Sequence, residues 1–577
     1  MKKKLLPALI VTGLIILVVI IMGITALINK YTPTKKTEDL KEYFNISSDD
    51  EVALIVNNEL SDYKAKIIDK KIYVDYKFVH DSLNSRFYWD ANENVLLYTT
   101  ASDIISAAAD SNSYSVTKQT NDFGYPIVKA TSDSALIALD YVKQYSNITF
   151  KSYDDPARIV ITSKWDEIDS ATVSKSTQVR VKGGIKSPIL KEVKKDDKIT
   201  ILDSGDKWDK IATEDGVIGY IKRKALSESK KTKLTNPDYE EETFTHIKKD
   251  KDICLAWNQV TSQSANSKVP HVISSTKGIN VMSPTWFYLN DNNGNLADIA
   301  SKDYVSYCHS QGIEVWGLFS NLENTDVDAA YVLTHTSTRT TLINQIMSAA
   351  FNYELDGVNI DFENITEAAY GDSYIEFIRE LAIKCHNNGI SLSVDVTVPA
   401  SFNKFFNRSD MANFADYIVI MGYDEHYKGS DAGSVSSIPW VTEGVESTLK
   451  EVPADQIILG MPFYTRIWEL TPKEDDDAVT DTEDQSKYTV ASQVYSMDAA
   501  AAQLATNNAT AALDEESGQN YAEWSVSNKL YKVWLEDSTS LEKRLKLVDD
   551  NKLAGAAFWK LGFENSSVWD TVIKYLD

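Results

Sequence analysis

From about residue 250 to residue 577 the sequence alternates short apolar runs with longer helix-like stretches, and this alternation limits the possible folds more than any other feature. The runs are ICLAWNQV, GINVMSPTWFYL, IEVWGLFSN, DGVNIDFEN, ISLSVDVTVP, YIVIMGYDEHY, IILGMPFYTRIWE and AGAAFWKLGFEN. Between them, SKDYVSYCHSQG, RTTLINQIMSAAFNYE and GDSYIEFIRELAIKCHNNG carry apolar residues at helical spacing. Eight such strands in about 330 residues predict an α/β fold, a (β/α)8 barrel. A doubly wound sheet would use the same alternation, but the polar and aromatic residues crowded at the strand ends favour the barrel. The eighth run arrives late, so residues 469–545 are read as a small α+β insertion between strands seven and eight, with a helix leading back to the barrel.

The rest of the chain divides by composition. MKKK precedes an uncharged, mostly apolar run from Leu5 to Ile28, long enough to cross about 30 Å of hydrocarbon as a helix. Residues 1–29 are therefore read as a transmembrane signal anchor with Lys2, Lys3 and Lys4 on the cytoplasmic side and the remainder exported. A cleaved signal peptide is the rival, but its apolar core would be only about 7–15 residues, and no clear A-x-A site follows. Residues 30–48 form a polar spacer. Residues 49–165 read as two related α+β units, and residues 172–228, with turns at GG, DSG and EDG, as a small β-barrel. Residues 229–247 form a charged linker into the barrel of residues 248–577.

With 59 Lys and Arg against 84 Asp and Glu, the net charge is −25, which would repel a polyphosphate, so no nucleic-acid partner is expected. Thirty Tyr and twelve Trp suit sugar surfaces and large cores alike. Cys254, Cys308 and Cys385 lie in apolar stretches and read as buried reduced thiols. The seven His show no ligand spacing, so neither a metal nor a cofactor is expected.

Within DGVNIDFEN, strand alternation puts Gly357, Asn359, Asp361 and Glu363 on one face and Val358, Ile360 and Phe362 on the other. In a barrel the first set faces the interior and rises towards the C-terminal mouth, where barrel enzymes place their chemistry. Burying Asp361 beside Glu363 makes it costly to charge both, so one stays protonated. Glu363, nearest the mouth, is the natural proton donor. Asp356 has the opposite parity and reads as a structural hydrogen-bonding residue.

DGVNIDFE resembles the D-G-x-D-x-D-x-E signature of glycoside hydrolase family 18, the chitinase-like (β/α)8 barrels. MGYDEHY is similar to that family's sixth-strand M-x-Y-D element, at Met421, Tyr423 and Asp424, and AGAAFWKLG to its eighth-strand tryptophan, at Trp559. The form of these motifs is similar to the bacterial branch that includes spore cortex-lytic N-acetylglucosaminidases. The resemblance implies retaining hydrolysis in which the substrate's own 2-acetamido oxygen attacks the anomeric carbon. It makes Glu363 the acid and later the base, Asp361 the group that orients the acetamide, Tyr423 the donor to the acetamide oxygen and Trp559 the floor under the sugar. Asn359 departs from the family's aspartate, yet its amide offers a donor and an acceptor to Asp361. Tyr464, Arg466 and Trp286 are further sugar-binding candidates. The first α+β unit, on IIDKKIYVDYKFVHDSLNSRFYWDANENVLLYTT, resembles the N-terminal domain of copper amine oxidases. Residues 172–228 resemble a bacterial SH3-like domain.

The expected substrate is a polysaccharide containing N-acetylglucosamine, peptidoglycan before chitin because of the anchor and the SH3-like module. The rival of another class is a wall-binding lectin on the same barrel. Retention of Glu363 argues against it.

Overall fold

The computed structural model describes residues 2–365, 368–473 and 484–576. The chain divides into two compact units: residues 1–89, 107–114 and 121–241, and residues 90–106, 115–120 and 242–577.

The first unit begins with the helix Lys2–Tyr31, whose Leu9–Tyr31 stretch is long and apolar enough to span a membrane. Two seven-stranded sheets follow. The first takes strands from both predicted α+β repeats, in the order Thr149–Tyr153, Arg158–Thr162, Glu51–Val56, Glu59–Ile68, Lys71–Asp75, Ala135–Ala138, Val128–Ala130. The two repeats are therefore not separate units: Ala53–Val56 pairs with Arg158–Ile161, and Tyr73–Asp75 with Leu136–Ala138, so each half supplies backbone partners the other needs. The second sheet is antiparallel and extends beyond the expected 172–228. Glu167–Thr172 and Lys230–Lys233 add two strands at one side, the latter from the expected linker. Phe44, Ala53, Ile55, Val179, Ile199 and Ile211 lie in one buried cluster fed by both sheets.

The second unit is built on eight parallel strands: β1 (Ile253–Asn258), β2 (Val281–Leu289), β3 (Glu314–Ser320), β4 (Gly357–Asp361), β5 (Ser391–Thr397), β6 (Tyr417–Met421), β7 (Ile457–Pro462) and β8 (Gly555–Trp559). Each pairs with its neighbours in sequence and β8 pairs with β1, which closes the barrel. Alternation divides the strand residues between two cores. Ile253, Leu255, Trp257, Val281, Trp316, Leu318, Tyr417, Val419 and Ile458 fill the interior. Val358, Ile360, Phe362, Leu392 and Val394 pack outward with residues of the surrounding helices.

Residues 90–106, expected in an amino-terminal repeat, belong instead with this unit. Asp90 and Glu93 accept hydrogen bonds from the backbone N–H groups of Thr336 and Ser337 at 2.7 and 3.1 Å, capping the helix Thr336–Tyr353. That helix has no side-chain cap of its own at His335. Between β7 and β8 the chain builds a five-stranded antiparallel sheet from strands spanning Tyr464–Leu535 and the helix Met497–Thr506, then returns through the helix Ser538–Asn551. Residues 474–483 of the insertion lie outside the described residues. Arg544 on the returning helix forms a bidentate pair with Glu536, both buried, and donates to the Ser436 carbonyl in the loop after β6.

Candidate active site

β4 ends at the barrel mouth, and a cleft of about 540 Å³ opens there. Asp361, Glu363, Met421, Tyr423, Asp424 and Trp559 all line it. Below them Gly357 sits against Trp316 of β3. A Cβ at that position would lie 2.5 Å from the indole Cδ1, so close approach of the ring, and not a turn, demands the glycine. Asp356, at the base of β4, accepts the Val315 N–H and pairs with His309, both at 2.8 Å.

Glu363 follows the last residue of β4, and Asn321 after β3 fixes its backbone. The Glu363 N–H donates to Asn321 Oδ1 at 2.9 Å, and Asn321 Nδ2 donates to the Glu363 carbonyl at 2.8 Å. Burial, with like charge from Asp424 and Glu323, holds the Glu363 carboxyl above the ordinary glutamate range. Burial, with Glu363 and Glu323 adding like charge, pushes Asp361 well above the usual aspartate value. Asp361 Oδ1 is buried with no hydrogen-bond partner. An unpaired buried oxygen is costly, so it is a ready acceptor for an N–H that a ligand brings.

Asn359 is fully buried one step below, and its contacts differ from expectation. Its Oδ1 accepts from Trp257 Nε1 and Ser283 Oγ, both at 3.0 Å. Its Nδ2 donates to Ser393 Oγ at 3.0 Å and Asp395 Oδ1 at 2.7 Å. The amide's capacity goes to β1, β2 and β5, so the expected hydrogen bond from Asn359 to Asp361 is replaced by one to Asp395.

Tyr423 presents its ring between Trp257 and Tyr464, with centroids at 6.4 and 6.2 Å, and burial beside Asp361 raises its hydroxyl pKa well above the ordinary value. Trp559 packs edge-on to Trp257 at 5.9 Å. Asp424 is held from behind: Tyr464 donates to its Oδ1 at 2.5 Å, and Arg466 Nη2 lies 3.8 Å away. Tyr464 and Arg466 thus brace Asp424 and do not line the cleft. Trp286 requires a correction. It is fully buried between β2 and the outer helices, packed on Tyr304 and bonded to Asn266 Oδ1, and so cannot meet a ligand.

Trp257, Asp395, Phe402, Tyr427 and Trp440 also line the cleft and were not singled out from sequence. For Asp395 a signal existed: Ser391, Ser393 and Asp395 share one parity of β5, the inward one. Among the described residues no group of three or more His, Cys, Asp or Glu has metal-holding geometry. The three cysteines are buried and free.

A (β/α)8 barrel with two adjacent carboxyls of raised pKa in an aromatic-walled mouth fits a glycosidase barrel. Residues 319–564 match the family described as glycosyl hydrolases family 18. That match takes in β4 to β8, and with the relatives that follow it makes the protein a glycosidase. The chain is 23% identical over 349 residues to the uncharacterized glycosylase YvbX of Bacillus subtilis (strain 168), covering 56% of this chain and 95% of that one. It is 24% identical over 287 residues to the cortical fragment-lytic enzyme of the same organism, covering 48% of this chain and 63% of that one. The crystal structure of the Bacillus cereus spore cortex-lytic enzyme SleL superimposes with a TM-score of 0.50 at 18% identity, covering 60% of this chain and 79% of that one, a likeness of fold.

Proposed function

We propose that this protein is a membrane-anchored, outward-facing retaining glycosidase that cleaves β-linked N-acetylglucosamine bonds of peptidoglycan by substrate-assisted catalysis. The observation that carries the reading is the pair Asp361 and Glu363 at the mouth of the cleft, both held above their ordinary pKa values and flanked by Tyr423 and Trp559. Glu363 gives its proton to the leaving glycosidic oxygen, and the acetamide oxygen closes on the anomeric carbon. Asp361 Oδ1, buried without a hydrogen-bond partner from the protein, accepts the acetamide N–H. The Tyr423 hydroxyl donates to the acetamide oxygen, and Trp559 supplies the apolar face beneath the ring. Glu363, now a carboxylate, takes a proton from water, which opens the oxazolinium ring with net retention.

Peptidoglycan is preferred to chitin for two reasons. The apolar helix Leu9–Tyr31 would hold the barrel at the cell envelope, and among the relatives of the chain is one named for lysis of cortical fragments. The sequence resemblance of residues 172–228 to a bacterial SH3-like domain supports a role in holding the wall. The test is digestion of purified peptidoglycan and of chitin by detergent-solubilised full-length protein, beside Glu363→Gln. New reducing ends on N-acetylglucosamine from peptidoglycan, formed as the β-anomer and lost in the variant, are expected. If wild type and variant both bind the wall and neither releases sugar, a lectin function replaces this reading.

A further inference from the structure

Position 359 and position 395 form a matched pair. The Trp257 indole N–H can only donate, so it fixes Asn359 with Oδ1 towards β1 and β2 and Nδ2 towards β5. A carboxylate at 359 would set an oxygen against Asp395 Oδ1 where the amide now sits at 2.7 Å, and two such oxygens cannot both be ionised. The parallel register pairs Asn359 with Ser393 and Ile360 with Val394, so Asp395 stands one residue further along β5, level with Asp361 and on the same inward face. It is 3% exposed and reaches the wall of the cleft. The barrel therefore sets a second carboxylate, Asp395 of β5, beside Asp361 at the end of β4.

We infer that Asp395 is a positioning residue for hydrolysis, the supporting carboxylate of Asp361 relocated to β5 and anchored by the Asn359 amide. The inference rests on the hydrolytic reading above. The titratable groups facing Asp395 are Asp361 and Glu363 from β4 and the residues beyond it, Tyr423 after β6, and Tyr374 on the helix Ala368–His386. Asp395 acts on the reaction by setting the charge beside Asp361, with no contact to the sugar required.

The test exchanges the two side chains in full-length protein. Asp395→Asn should lower kcat on peptidoglycan by about 10²-fold, the scale of a lost acid–base function, with KM within about twofold. Asn359→Asp combined with Asp395→Asn restores the carboxylate to β4: position 359 still accepts from Trp257 and Ser283, the bond between 359 and 395 is reversed, and the Ser393 hydroxyl donates where it accepted. The exchanged pair should recover kcat to within about tenfold of wild type, with a displaced pH profile. The same variants are followed by the infrared carboxylic-acid band at neutral pH, which needs no substrate. The band should change in Asp395→Asn, which removes one member of the buried carboxyl pair, and recover in the exchanged pair. An unchanged pH profile and kcat in Asp395→Asn, or an exchanged pair no better than Asp395→Asn alone, overturns the inference. If wild type cleaves neither polymer, the hydrolytic reading fails separately, and an infrared band unchanged in all variants then overturns the Asp395 assignment on its own.

Discussion

Replacing Gly357 with alanine tests whether the close approach of β4 to Trp316 sets the position of the acids. The added Cβ would lie 2.5, 2.6 and 2.9 Å from Cδ1, Cγ and Cδ2 of Trp316. Carbon atoms prefer about 3.5–4.0 Å, so ring or strand must yield by about 1 Å. The ring cannot swing freely: Trp316 is fully buried, donates from Nε1 to Glu314 at 3.0 Å and stacks on Tyr417 at 5.6 Å. Overpacking of this kind costs about 1–3 kcal/mol. The smaller conformational freedom of unfolded alanine returns about 0.4–1 kcal/mol. A net loss of about 1–2 kcal/mol should lower the barrel's melting transition by a few degrees, on the scale of about 2–4 °C per kcal/mol for large domains. Because the displaced strand leads to Asp361 and Glu363, kcat should fall as well, by as much as about 10²-fold for a 1 Å shift. Scanning calorimetry of the full-length protein gives the first quantity and wall digestion the second. In a Trp316→Ala background the added methyl should cost almost nothing, a coupling that a double-mutant cycle reads directly. A Gly357→Ala protein with wild-type melting and wild-type kcat would refute the reasoning, because it would mean that the indole is not fixed.

Two further expectations concern neighbours of the site and of the barrel. Glu323 adds like charge to both Asp361 and Glu363, so Glu323→Gln should lower the pKa of the acid. Since the proposed mechanism uses Glu363 in its protonated form, the limb of the pH–rate profile that falls as pH rises should move to lower pH; a fixed limb would show that Glu323 does not set it. Asp90→Ala removes a cap supplied from 246 residues away in sequence to the helix Thr336–Tyr353. Barrel stability should drop by about 0.5–2 kcal/mol, measured by the same calorimetry, with little loss from Asp90→Asn.

The eight strands were legible in the sequence because each is an apolar run of strand length, and burial on both faces of a parallel strand requires that pattern. The direction of Asn359, Asp361 and Glu363 was legible too, since period-two alternation is a property of the strand alone. Met421, Tyr423, Asp424 and Trp559 were named by their likeness to the family 18 motifs, and all four line the cleft. Tyr464 and Arg466 also follow a strand end, but whether such a residue faces the cleft or braces a neighbour depends on the path of the loop, which no local pattern encodes. Trp286 was misread as following the second strand, whereas β2 runs on to Leu289 and period-two alternation turns Trp286 outward with Met282.

The sequence by itself determined which strands exist, which face of each turns inward, and that an acid pair stands at the end of β4. Only the tertiary structure decided what surrounds that pair. Strands distant in the chain bring Trp257, Ser283, Ser393 and Asp395 to the Asn359 amide, and residues 90–106 to the end of a barrel helix. Backbone periodicity is local and survives in one dimension. Hydrogen-bond partnership, burial and the charge felt by a carboxyl are sums over neighbours that only closure of the barrel brings together.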